Sequence, residues 1–534
     1  MSVNLDTLDS KASKINNDNQ ASGFGHIAKG ASKAGAMTFI SRITGFVREM
    51  VCANYFGASS SFDVFVVAFK IPNFLRRLFA EGAFAQAFIP TLSEYRATRS
   101  EKDVTKLLNH VAGVLGTLLI IVSIIGMLAA PLIVRVFAPG FSDEPTRLYL
   151  AIDLLRITFP YILFISLTAF LGSILNSYDR FMMPAFAPVL LNISMITCAM
   201  LLASHFTEPV TALAWGVFFG GVGQLLFLLF FSWKIQFMPK PKLSGDKTGV
   251  TRILKNMLPA IFGVSVAQIN VLFETIFGSY LPKGSISWLY YSDRIMEFPM
   301  GVFGVALATV VLPHLSREHA KNNQKDFIHT VDWSLQLIVL IGLPAALGIM
   351  ILAEPLLITL FNYGKFSILD VHKTSMSLQV FSCGLISLVS VKILASANYA
   401  RKDIRTPVKI AAFCMVVNMT LSFILMQYFY HVGLAMASII TSFINASLLL
   451  FNLVRRGVYK PVLHWRPFLV KVLLANLIWV TLVLLFTPEI STWLAWGRLQ
   501  RMGSFMTLMG AVMVVYFLSL RVLGFNLKKQ LSLN

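Results

Sequence analysis

Clusters of arginine and carboxylate lie inside strongly apolar stretches of this 534-residue chain. SRITGFVRE covers residues 41–49, DVFVVAFKIPNFLRRLFAEGAF covers residues 63–84, and YYSDRIMEFPMG covers residues 290–301. A charge at bilayer depth costs about 3 kcal/mol on insertion scales, so it normally faces a protein interior or a wet cavity. Cationic side chains in such a cavity predict an anionic substrate.

Arginine is the residue type that suits a substrate bearing phosphate. Its planar guanidinium binds phosphate oxygens in a bidentate way and stays ionised. The alternative is that these arginines form salt bridges between helices or extend to the headgroups from the ends of spans. The arginines that we predict to hold a diphosphate together are Arg42, Arg48, Arg76, Arg77 and Arg294.

A stripe of charges follows the second apolar stretch. Asp63, Lys70 and Arg77 are seven residues apart, nearly two helical turns, and Glu81 continues the stripe. The stripe would extend about 27 Å, close to the hydrocarbon thickness. A kink is expected at Pro72. We expect Asp63, Lys70 and Arg77 to face the same aqueous cavity.

Further carboxylates accompany the arginines, namely Glu49, Asp293 and Glu297. We expect them to orient the arginines and to reduce their desolvation cost. Glu274 stands alone in QINVLFETIFGSY, where it could carry a proton or a sodium ion, or pair with an arginine of the other half of the chain. Lys392, in another apolar stretch, is a weaker candidate.

The composition is that of a polytopic membrane protein. Hydrophobic residues make up 56% of the chain and charged residues 13%, with a mean hydropathy of +0.71, whereas soluble domains carry about 25% charged residues. The net charge of +20 is explained by basic loops that fix topology, and no basic-aromatic module suggests nucleic-acid binding. The four cysteines lack metal-ligand spacing, and there is no Walker loop or nucleophile elbow, so we expect no metal, cofactor or ATP hydrolysis.

The apolar segments predict fourteen membrane spans of about 20 residues each. The loops after even-numbered spans are rich in Lys and Arg, which places both termini in the cytoplasm. Arg498 and Arg501, before the last span, are the main exception. Residues 1–24 are polar and aperiodic, and we interpret them as a disordered cytoplasmic tail.

Two pairs of segments indicate an internal repeat. NSYDRFMMPAFAPVLLN (176–192) resembles NYARKDIRTPVKIAAFCMVVN (398–418), and AFIPTLSEY (87–95) resembles VVLPHLSRE (310–318). Six spans per copy is an even number, so both copies would insert in the same orientation, about an axis along the membrane normal. Parallel repeats enclose a midplane site in several transporter folds. The alternative is chance similarity between apolar segments.

The fold that we predict is an all-α polytopic membrane protein with two six-helix lobes related by a pseudo-two-fold axis, plus two C-terminal helices. The first lobe covers residues 25–247 and the second covers residues 248–457. Residues 458–534 hold the thirteenth and fourteenth spans and a cytoplasmic C-terminus.

Three long motifs resemble the MurJ/MviN family of bacterial lipid II flippases. They are SRITGFVRE, FDVFVVAFKIPNFLRRLFAEGAFAQAFIP and YYSDRIMEFPMGVFGVALATVVLPHLS, and the resemblance covers residues of about 26 to 525. This family belongs to the MOP exporter superfamily, whose members are not enzymes. Its fold is two six-helix lobes in a V, with two C-terminal helices forming a groove that leads to a central cavity.

The resemblance also implies roles for individual residues. The essential arginines of the family fall on Arg42, Arg48, Arg76 and Arg294, and the acidic positions of its motifs fall on Asp63, Glu81, Asp293 and Glu297. Glu49 is a departure, because the family commonly has Asp there. Some relatives have a sodium-binding carboxylate near the position of Glu274 and others have none. Coupling to Na⁺, to H⁺ or to the membrane potential therefore stays open.

The resemblance implies transport of lipid II, the undecaprenyl-diphosphate-linked disaccharide-pentapeptide, from the cytoplasmic to the periplasmic leaflet of the bacterial inner membrane. We expect alternating access through a cationic central cavity, in a monomer surrounded by membrane lipids and associated with cell-wall synthesis proteins. The rivals are an exporter of another polyprenyl-diphosphate oligosaccharide, a drug exporter, a glycosyltransferase on polyprenyl phosphates, and a passive scaffold. A drug exporter would favour an acidic cavity, a glycosyltransferase would need larger loops, and a scaffold would tolerate loss of the arginines.

Overall fold

The computed structural model describes residues 35–78, 84–462 and 464–526. All regular secondary structure in these ranges is helical. The predicted tail over residues 1–24 and Glu81 lie outside them. The helices are α1 (35–56), α2 (Ser60–Leu75), α3 (Ala85–Thr98), α4 (Glu101–Leu128), α5 (Ala130–Phe137), α6 (Pro145–Thr158), α7 (Tyr161–Ser177), α8 (Met182–Leu202), α9 (Thr211–Lys234), α10 (Lys247–Ser279), α11 (Ser285–Pro299), α12 (Ala306–Ala320), α13 (Gln324–Ile351), α14 (Ala353–Leu360), α15 (Ile368–Cys383), α16 (Leu385–Ala400), α17 (Arg405–Arg455), α18 (Trp465–Phe486), α19 (Ile490–Ala495) and α20 (Arg498–Val522).

The described helices confirm an all-helical, multi-pass membrane fold. Eight of the described spans are long and apolar enough to cross a bilayer, or nine if the bent pair of α15 and α16 counts as one. The longest helix, α17, is interrupted at Tyr430, which has φ 51° and ψ −129°. The number of fourteen spans and the two-lobe symmetry stay predictions.

Two helical regions that carry arginines are interrupted by π-helical turns. Residues 76–78 are π-helical and follow Pro72, and Met300–Val305 is a π-helical segment that follows Pro299. Proline lacks the N–H that the helical ladder needs, so the ladder is weakened around it. Wide π turns of this kind are frequent at functional sites.

The repeated segments of the sequence adopt the same local turn. After α7, Asp179 has a φ of 60°, and after α16, Lys402 has a φ of 61°. In each turn the next residue donates its N–H to the carbonyl five positions earlier, at 2.9 Å after α7 and 3.1 Å after α16. Pro184 and Pro407 then stand at the same relative position near the start of the next helix. These turns fit the predicted repeat at the level of local geometry.

The chain divides into two compact units. The first contains residues up to 51, 68–131 and 152–264, and the second contains residues 52–67, 132–151 and 265–534. The core of the first unit includes stacked rings of Phe84 and Phe88, whose centroids lie 5.0 Å apart. The predicted lobe boundaries stay a prediction.

Within the second unit, the C-terminal helices pack on α13. Trp479 of α18 and Tyr516 of α20 are buried in a shared core, and the Tyr516 hydroxyl donates to the Leu340 carbonyl at 2.7 Å. Asp332 of α13 is fully buried. It accepts hydrogen bonds from Tyr459 and Val462, which lie in the connection to α18, and from Trp465, the first residue of α18. These contacts fix α18 and α20 to the second unit.

Candidate functional site

Arg48 is buried at a joint between α1 and α8 of the first unit. Its Nη1 donates to Asn192 Oδ1 at 3.0 Å, and its Nη2 forms an ion pair with the buried carboxylate of Glu49. The amide of Asn192 donates in turn to the Ser41 carbonyl and to Thr44 Oγ1, at 3.1 and 3.2 Å. Among the predicted arginines, Arg48 is thus the one whose contacts fit the alternative of structural pairing between helices.

Three other cations of the first unit are more accessible. Arg42 and Lys70 are half-buried and Arg77 is exposed, and none of the three has a hydrogen bond or an ion pair within the described residues. Arg76 is half-buried and its Nε donates to Asn73 Oδ1 at 3.1 Å. Arg42 and Arg77 therefore keep guanidinium donors for a ligand.

Along the predicted stripe, the exposed fraction of the side chains increases from Asp63 to Arg77. Asp63 is 0% exposed, Lys70 is half-buried and Arg77 is exposed. The expectation that all three face an aqueous cavity is therefore wrong for Asp63 in this structure. The physical reason is that Asp63 contacts Gly284, Ser287 and Arg147, which belong to the second unit as Asp63 itself does.

Asp63 caps the N-terminus of α11. Its carboxylate accepts hydrogen bonds from the backbone N–H of Gly284 at 2.7 Å, from the backbone N–H of Ser287 at 2.8 Å, and from the Ser287 hydroxyl. A carboxylate satisfies the free N–H groups of a first helical turn and is stabilised by the helix dipole. Gly284, at the N-cap position with φ 92°, provides no such side chain. We call this contact the α2–α11 junction.

Arg147 compensates the buried charge of the α2–α11 junction. Its Nη2 lies 3.6 Å from Asp63 Oδ2, and its side chain is only 7% exposed. The guanidinium stacks over the ring of Phe141, 4.2 Å from the centroid. Arg147 was not among the residues predicted from the sequence. Its signal there is that it is a basic residue in a loop that the charge rule places outside.

Arg294 lies on α11, the helix that Asp63 caps. Its Nη1 forms an ion pair with Glu297 Oε2 at 2.5 Å, and its guanidinium lies 5.0 Å from the ring centroid of Tyr290. The Arg294 side chain is 29% exposed, and Asp293 beside it is exposed. Of the carboxylates that we expected to orient the arginines, Glu297 is thus the one that pairs with Arg294.

A charged pair that was not predicted from the sequence lies on α6. Arg156 and Asp153 form an ion pair at 3.6 Å with side chains that are 51% and 68% exposed. Arg156 is eleven residues, or about 17 Å of helix, into the candidate span Pro145–Ser177. Exposed charges within a membrane span require water or a polar ligand.

The predicted coupling residue Glu274 is half-buried in α10 of the second unit, without a hydrogen bond or ion pair among the described residues. Lys392 is half-buried in α16. No group of three or more His, Cys, Asp or Glu side chains in the described part of the chain could hold a metal ion.

Comparison with known families decides the classification. The family model described as "Lipid II flippase MurJ" matches residues 52–501. The chain belongs to the MurJ family. The members of this family are transporters and not enzymes.

Curated relatives cover nearly the whole chain. A protein of Vibrio cholerae serotype O1 named "Probable lipid II flippase MurJ" is 43% identical over 500 residues, which are 92% of this chain and 95% of the relative. A protein of Haemophilus influenzae with the same name is 44% identical over 501 residues, covering 91% and 98% of the two chains.

Solved structures share the fold. A structure described as "Lipid II flippase MurJ, inward closed conformation" matches with a TM-score of 0.76 and 27% identity, over 92% of this chain and 97% of the other. An inward-facing multidrug resistance MATE family transporter of the MOP superfamily matches with a TM-score of 0.68 and 14% identity, over 80% and 98%. The second likeness concerns the fold alone.

Proposed function

We propose that this chain is a lipid II flippase that moves the lipid-linked precursor from the cytoplasmic to the periplasmic leaflet of the inner membrane. The observation that carries the proposal is the set of accessible arginines within an apolar, multi-pass chain of the MurJ family. Arg42 and Arg77 belong to the first unit and Arg294 to the second. Guanidinium groups bind diphosphate oxygens with charge-assisted, bidentate hydrogen bonds.

The carboxylates would tune this binding. Glu297 holds Arg294 in one orientation and partly neutralises it while the site is empty. A diphosphate would compete with Glu297 for the guanidinium of Arg294. The attraction between diphosphate and guanidinium would then offset part of the desolvation penalty of burying the substrate. The exposed Arg156 within the span would extend the cationic surface, with Asp153 as its partner while no substrate is bound.

We further propose alternating access, with the α2–α11 junction as one closed contact of the cycle. Opening around the junction would separate Asp63 from Gly284 and Ser287, and substrate binding would have to offset that loss. Likeness to an inward closed flippase structure supports this assignment. The polyprenyl tail would stay in lipid beside α18 and α20.

The remaining expectations are proposals of the same kind. Fourteen spans, two lobes and cytoplasmic termini agree with the distribution of basic loops. The chain would act without a cofactor, as a monomer among membrane lipids, with cell-wall synthesis proteins as its neighbours. Glu274 would couple transport to Na⁺ or H⁺, unless the membrane potential alone drives it.

Transport of labelled lipid II in proteoliposomes tests the proposal. The wild-type protein should move lipid II across the bilayer, and Arg294→Ala should lose transport while staying folded. Arg317→Ala is a matched control, because Arg317 is an exposed arginine in the last turn of α12. Arg294→Lys should recover only part of the activity, since a point charge replaces a fork.

The outcome also separates the rivals. Transport of another polyprenyl-diphosphate oligosaccharide in preference to lipid II would identify a different exporter. Full activity of Arg294→Ala would remove Arg294 from the site. Conversion of the substrate to a new glycan, without translocation, would identify a glycosyltransferase.

A further inference from the structure

A cavity lies within the second unit, and none of the predicted diphosphate arginines lines it. Its volume is about 560 Å³, within the range of about 300–1,000 Å³ that holds small organic ligands. Three segments form its walls: the start of α6, the turn between α10 and α11, and the interrupted middle of α17. The charge rule places all three on the periplasmic side.

Four charges of alternating sign form a chain; three of them, Arg147, Glu144 and Lys283, line this cavity, and the fourth, Asp63, is fully buried next to Arg147. Asp63 lies 3.6 Å from Arg147, Arg147 lies 3.8 Å from Glu144, and Glu144 lies 2.9 Å from Lys283. Two cations and two carboxylates leave the group with no net charge. A phosphate or another strongly anionic ligand therefore gains little here, whereas a neutral ligand with many hydroxyl and amide groups meets both donors and acceptors.

Arg147 has unused hydrogen-bonding capacity beside the cavity. The residue is 6% exposed, yet its Nε and Nη2 donate no hydrogen bond within the described part of the chain. Its distances to Asp63 and Glu144 exceed hydrogen-bonding range. Buried donors without partners are costly, so a ligand that accepts from Arg147 would be favoured.

Aromatic and amide side chains complete the lining. Tyr280 and Tyr430, which are 57% and 55% exposed, line the cavity together with Gln427. Tyr430 has a φ of 51°, a strained backbone conformation for a tyrosine that the fold nevertheless maintains. Flat tyrosine rings offer an apolar face and a polar edge, which matches the C–H face and the hydroxyl rim of a sugar ring.

We propose that this cavity binds an uncharged, N-acetylated amino sugar, as an exit-side subsite for the disaccharide of the translocated precursor. This inference rests on the proposed function for the source of the sugar. The neutral charge balance, the hydrogen-bonding side chains and the exposed tyrosines favour a sugar over the peptide part of the substrate, whose carboxylates would require net positive charge.

Binding of a soluble disaccharide tests the proposal. The probe is N,N′-diacetylchitobiose, observed by saturation-transfer NMR on the full-length protein in nanodiscs. The wild-type protein should bind it, and Tyr280→Ala and Gln427→Ala should each weaken binding at least fivefold. Tyr149→Ala is the matched control, because Tyr149 is a 67% exposed tyrosine of α6 outside the cavity, and it should bind like the wild type.

The outcomes are distinguishable from those of the transport assay. Absence of disaccharide binding, or equal binding by all variants, would overturn the sugar site even if the protein transports lipid II. Binding of the free pentapeptide in place of the disaccharide would also overturn it. Each variant is first checked for wild-type gel-filtration behaviour and melting temperature, so that a folding defect is not read as lost binding.

Discussion

The carboxylate of Asp63 accepts a 2.7 Å hydrogen bond from the backbone N–H of Gly284, 221 residues further along the chain. The first turn of α11 is thus capped by a different helix, α2, and not by its own N-cap residue. Because α11 also carries Arg294, this contact links the start of α2 to a helix of the predicted substrate site.

Asp63→Asn should loosen the α2–α11 junction. The amide keeps one acceptor but loses the charge that the helix N-terminus and Arg147 favour, and a cap of this kind contributes about 0.5–2 kcal/mol. Ser285 is 1% exposed beside the junction, so Ser285→Cys, in a background without the four native cysteines, reports its opening. A water-soluble thiol reagent should label this cysteine faster in Asp63→Asn.

The control for that experiment is Asp179→Asn. Asp179 is exposed and has a φ of 60°, which asparagine tolerates. If the cysteine at position 285 is labelled equally fast with Asp63→Asn and with Asp63 retained, then Asp63 does not hold the α2–α11 junction closed.

Arg48→Ala should be strongly destabilising. It leaves the carboxylate of Glu49, which is 2% exposed, without its cation, and removal of one partner of a buried ion pair typically costs about 3–5 kcal/mol. The double variant Arg48→Ala/Glu49→Ala should be more stable than Arg48→Ala alone. Melting temperatures of the two single variants and the double variant measure the coupling; additive losses would contradict a buried pair.

Arg156→Ala should reduce lipid II transport without lowering the melting temperature. Its ion pair with Asp153 is exposed and contributes at most about 1 kcal/mol to stability. A cysteine at position 156 should react with a membrane-impermeant reagent, and lipid II should slow that reaction. Unchanged transport together with an unreactive cysteine would place Arg156 against lipid and outside the pathway.

The arginine clusters and the helical fold could be predicted from the sequence, because charges in apolar segments and long hydrophobic runs are local signals. The environment of Asp63 could not. Asp63 and Lys70 both lie in α2, whereas Arg77 lies in the π-helical turn that follows it. The burial of Asp63 depends on Gly284 and Ser287, whose contact with it is set by tertiary packing.

The basic residues that break the charge rule also have environments that depend on tertiary packing. Arg501 was an unexplained basic residue on the predicted outer side, and the structure buries it. Its guanidinium donates to the carbonyls of Trp493, Leu494 and Asn362, at 2.9, 2.9 and 3.2 Å, and so satisfies the end of α19 and the segment after α14. Arg147 is a second buried arginine on that side. A basic residue in an outer loop therefore signals a structural arginine, although its partners cannot be named from sequence.

Acid should remove the stabilising effect of Glu144. A hydrogen bond from Lys283 is the largest cause that holds the pKa of the Glu144 carboxyl below its usual 4.5. Since the folded state has the lower pKa, its contribution to stability is complete above 4.5 and is lost as the pH falls through the folded pKa. The melting temperature of Glu144→Gln should therefore lie slightly below that of the wild type at pH of about 7 and converge with it as the pH falls below the pKa of the folded state. The gap should also narrow at high salt, because the pair is partly exposed. A gap that persists in acid would mean that Glu144 acts through packing and not through its charge.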